Sequence, residues 1–324
     1  MTQTLDQPQT GAAPIILGRA DWLKMMDRVG EDAGYFEPLG AKHWAFFVDE
    51  SPTLVVTFET LENIRARSGQ MPHGHEIAAA KGWSHLCVIS DGNTWYRDAR
   101  VYGYFDRLVD DAFFEDFDRV IFMGADAQAY GAAAFSVVAP GCTVLAINPR
   151  ATMAPDVAGW DKRDRSARRR DFTSRYGYAP DMVEGAGQVI VIHDPEAAMD
   201  AMHAALFRGA HITHLHAPRL DGRVDWALSH MQIYSALVDQ ALDGSLSRAS
   251  WGRLWRARRN FGPYLRMMLS RAEAAGRVAH EKAICRSVTQ RLQAPRFRKR
   301  LADILAAEAV AEADAALLAD AARV

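Results

Sequence analysis

Ile121-Phe122-Met123-Gly124-Ala125-Asp126-Ala127-Gln128-Ala129-Tyr130-Gly131-Ala132-Ala133-Ala134 reads as a strand, a sharp turn and a tightly packed helix. The apolar run ends at Phe122, Gly124 permits a strained turn, and the small residues Ala127, Ala129, Gly131 and Ala132 let the following helix press against a sheet. The apex of that turn is Asp126.

Apolar strand-like runs flank it at Trp44 to Val48, Leu54 to Phe58, Leu86 to Ser90, Val120 to Met123, Thr143 to Ile147, Val189 to Ile192 and Ile212 to His216. Several are continuous, as buried strands require. Helical patterns at Val101 to Leu108, Ala127 to Val137 and Glu196 to Phe207 fall between them, so the core is expected to be an α/β domain with a mostly parallel, doubly wound sheet. The expected organisation is a flexible tail with a short helix starting near Asp21 (1–40), an α/β domain (41–242) and a helical extension (243–324).

The turn resembles the G-x-S-x-G nucleophile elbow, with Gly124, Tyr130, Gly131 and Ala132 in place, Asp126 where serine stands and Gln128 for the second glycine. Once the order of elements is laid out, the chain is similar to α/β-hydrolase-like proteins of the esterase type. That resemblance implies an acid after the next-to-last strand, matched by Asp194 in Val191-Ile192-His193-Asp194-Pro195, and a histidine after the last, where this chain has Arg223. It also implies an oxyanion hole built from the backbone N–H of Phe58 or Glu59 and of Ala127.

Two altered triad positions change the chemistry. An aspartate is already ionised and can attack carbon without a base, but the resulting ester needs a base to activate water, and arginine cannot accept a proton near neutrality. If Asp126, Asp194 and Arg223 meet, the guanidinium bridges two carboxylates and the triad becomes an ion cluster. The expectation is therefore a non-catalytic interaction or small-molecule-binding protein. The alternative is a hydrolase or acyltransferase acting on an ester or related small molecule through Asp126. His214 and His216, on one face of the last strand, are the candidates for a displaced base.

Composition narrows the field. With 324 residues, 49% hydrophobic, 24% charged and a formal charge of -2, the chain has no global preference for a polyanion. Cys87, Cys142 and Cys285 read as buried thiols, the opening residues have no basic-then-apolar leader pattern, and no apolar run would cross a membrane. A cytoplasmic location is expected. No phosphate-binding loop, dinucleotide fingerprint or zinc-ligand spacing occurs, so no cofactor or metal is expected. Between Ser245 and Arg300, fifteen Lys or Arg stand against Glu273 and Glu281, and the alanine-rich end then turns acidic. Trp251-Gly252-Arg253-Leu254-Trp255-Arg256-Ala257-Arg258-Arg259 is read as an amphipathic docking helix, not a nucleic-acid surface, with a homo-oligomer through the C-terminal helices left open. Arg163 to Arg170, mixed with Asp161 and Asp164, reads as an exposed segment.

Overall fold

A computed structural model of the chain describes residues 16–321. They fall into two compact units, the larger ending at Leu254 and the smaller beginning at Trp255. The tail expected at the N-terminus lies mostly outside the described residues.

The larger unit is built on one eight-stranded sheet: β1 (Gly34–Pro38), β2 (His43–Val48), β3 (Thr53–Thr60), β4 (Ser84–Ser90), β5 (Arg119–Ala125), β6 (Thr143–Ile147), β7 (Gln188–His193) and β8 (Ile212–His216). Their order is β1-β2-β4-β3-β5-β6-β7-β8; β2 runs antiparallel to both its neighbours and every later pairing is parallel. The seven expected strands are present, five of them longer at one or both ends and two, β6 and β8, with the expected bounds. The edge strand β1 was not anticipated, because Gly34-Tyr35-Phe36-Glu37-Pro38 is half exposed and carries no apolar run.

Side-chain alternation divides the core between the two sheet faces. On one face Val56, Phe58, Leu86, Val88 and Phe122 pack with Phe105 and Phe135, which come from α4 (Ala99–Asp110) and α5 (Ala127–Phe135). On the other, Phe46, Cys87 and Ile89 pack with Trp22 and Met26 of α1 (Arg19–Ala33) and Ile64 of α2 (Leu61–Ala66). α1 spans fifteen residues, longer than the short helix expected. α5 is buried almost all round, which explains its alanines: a Cβ on Gly131 would lie 2.8 Å from the Phe58 ring. The sheet order, the antiparallel β2 and the strand–turn–helix at Asp126 make this an α/β-hydrolase-like fold.

In the smaller unit three helices, Gly262–Ala274, Val278–Thr289 and Pro295–Ala321, enclose a core of Leu265, Leu269, Cys285, Val288, Leu292 and Phe297. No helix among the described residues is long and apolar enough to cross a membrane.

Candidate functional site

The carboxyl ends of β3, β5, β6 and β7 meet around Asp126, where open α/β sheets place their ligands. Asp126 sits between β5 and α5 at φ 54° and ψ −118°. A Cβ on Gly124 would stand 2.6 Å from the main chain of Gln128, so the tight turn requires glycine there. The backbone is thus held in the strained conformation of an elbow. The Asp126 amide donates to Ile147 O (2.9 Å) and its carbonyl accepts from Tyr130 N (3.2 Å). No side-chain hydrogen bond of Asp126 occurs among the described residues, and the first helical amides, of Ala127 and Gln128, are likewise without acceptors.

The Asp126 side chain reaches solvent, yet protein crowds it on most sides, and that loss of hydration pushes its carboxyl up to about 6. Arg150 and Arg163 work against the shift, while Asp200 and Asp225 add to it. It faces a shallow recess shared with Arg163, Asp200, Gly222 and Arg223.

Asp194, at the end of β7, is fully buried and accepts from three amides, Glu196 N (2.9 Å), Arg219 N (3.1 Å) and Leu220 N (2.7 Å). Its carboxylate ties down the loop after β8. Arg223 is exposed on the rim of the recess at the start of the helix Val224–His230, with its guanidinium 4.9 Å from the Trp226 ring centroid. The expected ion cluster is therefore not formed: backbone amides satisfy Asp194, and Arg223 takes an aromatic face and water instead.

The ion network of this region lies elsewhere. Arg163 donates to Asp161 through Nε (3.1 Å) and Nη2 (2.8 Å) and to Asp200 through Nη1. His203 Nδ1 accepts from Ala151 N (3.2 Å), which leaves its Nε2–H for Asp161 Oδ2 (3.1 Å). Asp161 is thereby held far below the usual carboxylate range, and burial lowers His203 to about 4. The segment read as exposed thus contains a buried carboxylate, met by the buried His203 from inside and by the exposed Arg163 from the surface.

His214 Nε2 donates to Phe207 O (3.0 Å), and His216 is exposed with its ring 5.1 Å from that of His193. Neither lines the recess with Asp126. Phe58 is buried against Tyr96 and Phe135, and the Glu59 carboxylate accepts from Thr57 Oγ1 (3.2 Å), His73 N (2.8 Å) and Gly74 N (2.9 Å). Parallel register brings one ligand atom each of Glu59, His85 and Cys87 within 4.8 Å of one another, a proximity that sequence spacing did not show. Thr57 already joins His85 Nε2 (2.8 Å) to Glu59, and burial pushes the Cys87 thiol well above its ordinary value, so the group is closed by its own hydrogen bonds.

On the other side of the turn lies a cavity of about 290 Å³ between the ends of β3 and β5. Its polar lining includes Glu59, Arg67, His73, Gln128, Asp225 and Tyr234, with Thr57 and Asn63 beside them. Asp126 does not line it; Gln128, where the elbow pattern has glycine, does. Burial raises the Glu59 carboxyl and the Asp225 carboxyl, and Tyr234 lies beside Asp225. Gln128 is the residue that stands for the elbow's second glycine, and His73 opens the helix α3 (His73–Ala79). Asp225 and Tyr234 belong to distant helices and carry no local motif.

No protein-family model matches the sequence, and no curated protein matches it. Among solved structures, the capsule O-acetyltransferase of Neisseria meningitidis serogroup A is 12% identical over 61% of this chain and 91% of its own, with a TM-score of 0.42. The Pyrobaculum calidifontis esterase is 14% identical over 71% and 92%, with a TM-score of 0.43. An S-formylglutathione hydrolase from Agrobacterium tumefaciens is 14% identical over 63% and 91%, with a TM-score of 0.41. Likeness of this degree says nothing about chemistry.

Proposed function

We propose that this chain is a non-catalytic, small-molecule-binding protein on an α/β-hydrolase-like scaffold, its ligand held in the cavity beside the elbow. The separation of the two halves of the site carries the reading: the apex carboxylate faces a recess whose lining includes no histidine, while the cavity next to it is lined by Gln128. A nucleophile without a base beside it, and aimed away from the cavity, has no route to turnover. The test has two arms. p-Nitrophenyl acetate and butyrate should be hydrolysed no faster by the protein than by its Asp126→Asn variant. A fragment screen by thermal shift should give ligands that Ala66→Trp, at the exposed cavity wall, displaces.

The second reading is a hydrolase or acyltransferase acting through Asp126. It is favoured by the strained φ of 54° and by the unoccupied amides of Ala127 and Gln128, the features that aim a nucleophile and hold an oxyanion. Ester turnover abolished by Asp126→Asn would establish it.

A further inference from the structure

The cavity between β3 and β5 contains two carboxylates and one guanidinium, and the guanidinium is spent. Arg67 grips Glu76 through Nε (3.1 Å) and Nη2, and gives a further N–H to His73 Nδ1 (3.0 Å). Its charge is balanced by Glu76. Asp225 has no ion pair among the described residues, and the buried Tyr234 lies beside it. Glu59 accepts three hydrogen bonds, one of its oxygens taking only the His73 amide, which leaves an acceptor position on that atom. Two anionic groups in a partly closed space, with no cation free to answer them, set a negative local field.

A buried donor lies beside the same cavity. Because Nδ1 of His73 accepts from Arg67, the ring proton sits on Nε2, and that atom is buried with no partner. That N–H is closed off from the cavity space, so a ligand that satisfies the lining is one that brings positive charge for the carboxylates. At about 290 Å³ the space lies at the small end of small-molecule cavities.

Resting on the reading above that this cavity binds a ligand, we infer that its ligand is a small organic cation, a primary ammonium or guanidinium compound, held by Asp225 and Glu59. The elevated carboxyls are consistent with this, since an incoming cation relieves the cost of ionising them.

The experiment compares n-butylammonium, n-butylguanidinium, 4-aminobutan-1-ol, n-butyrate and n-butanol by thermal shift and calorimetry at pH 7.5, on the full chain and on Asp225→Asn and Ala66→Trp. The expected result is binding of the cations at least tenfold tighter than butyrate or butanol. The expected loss is tenfold or more in Asp225→Asn, and all binding in Ala66→Trp. Binding of butyrate or butanol as tight as the amines, blocked by Ala66→Trp, overturns the inference while leaving a ligand cavity in place. Cation affinity unchanged in Asp225→Asn also overturns it. If neither these probes nor a fragment library binds at the cavity, the underlying reading fails with it.

Discussion

The guanidinium of Arg223 lies over the indole ring of Trp226, 4.9 Å from its centroid, and makes no ion pair with Asp194. This one contact decides how the altered triad behaves. A cation over an exposed aromatic contributes about 0.5–1 kcal/mol, whereas stranding one partner of a buried ion pair costs about 3–5 kcal/mol.

Arg223→Ala is therefore expected to change stability by no more than about 1 kcal/mol in urea denaturation. Asp194→Ala is the contrasting variant, because three amides lose their only acceptor in a fully buried place. With a cost of about 1–3 kcal/mol for an unsatisfied buried group, the expected loss is at least about 3 kcal/mol. Equal effects in the two variants would mean that Arg223 and Asp194 act as a unit.

Asp126 makes a pH-dependent forecast. Its carboxyl titrates near 6 in the folded chain and near 4 when unfolded, so the folded state holds the proton more tightly. Ionising it costs stability that is absent below about pH 4, grows through pH 6 and is constant above. Water reaches the side chain, so the cost is discounted to about 1 kcal/mol. Asp126→Asn should match the parent at pH 4 and exceed it at pH 8. Asp126→Gly should add a gain at every pH, since glycine alone adopts φ 54° with ψ −118° without strain. A parent as stable as both variants at pH 8 would show that the apex is neither desolvated nor strained.

How far the sequence could be read follows from which forces act locally. β2 to β7 were legible because both sheet faces are covered, so runs such as Leu145-Ala146-Ile147 are apolar without interruption. β1 was not, being an edge strand with one partner and half-exposed side chains. The turn at Asp126 was legible because a backbone strained there admits only particular small residues around it. Arg223 was misplaced for the opposite reason: an exposed arginine settles by tertiary opportunity, and Trp226 three residues on offers an aromatic face. The cavity unites β3, α3 and two later helices, and no spacing within one segment marks such a set.

Acid should destabilise the larger unit. Burial lowers His43, His193 and His203 to about 4, against about 6.5 unfolded, so the unfolded chain binds more protons between those values. Stability is complete above about pH 6.5 and is lost as pH falls toward 4, while the raised carboxyl of Asp126 offsets part of the loss below 6. His193 is the cleanest probe, because its Nδ1 is buried without a partner and replacing the ring breaks no hydrogen bond there. His193→Asn should lose about 1–2 kcal/mol less than the parent between pH 7 and pH 5, measured by denaturation at each pH. Parallel pH profiles would show that this imidazole is protonated in the folded state.

The basic stretch after Ser245 is expected not to bind nucleic acid, because several of its cations from Arg258 onward have partners within the smaller unit. Arg258 donates to Trp255 O (2.6 Å) and lies over the Trp255 ring, and Arg291 donates to Arg259 O (3.1 Å) and Asn260 Oδ1 (2.7 Å). Arg300 pairs with the buried Glu281, and Lys282 pairs with Glu308 of the acidic half of the last helix. Trp255 is 6% exposed, its ring edge-on to Tyr264 at 6.2 Å, so it offers no free face for a base to stack on. Engaging phosphates would break these contacts before any counterion is released. In a fluorescence-anisotropy titration with a 20-nucleotide single strand and the matching duplex, affinity should stay weaker than micromolar at 50 mM salt. Submicromolar binding that falls steeply by 200 mM salt and vanishes when Arg256, Arg258 and Arg259 become alanine would instead make this surface a phosphate-binding one.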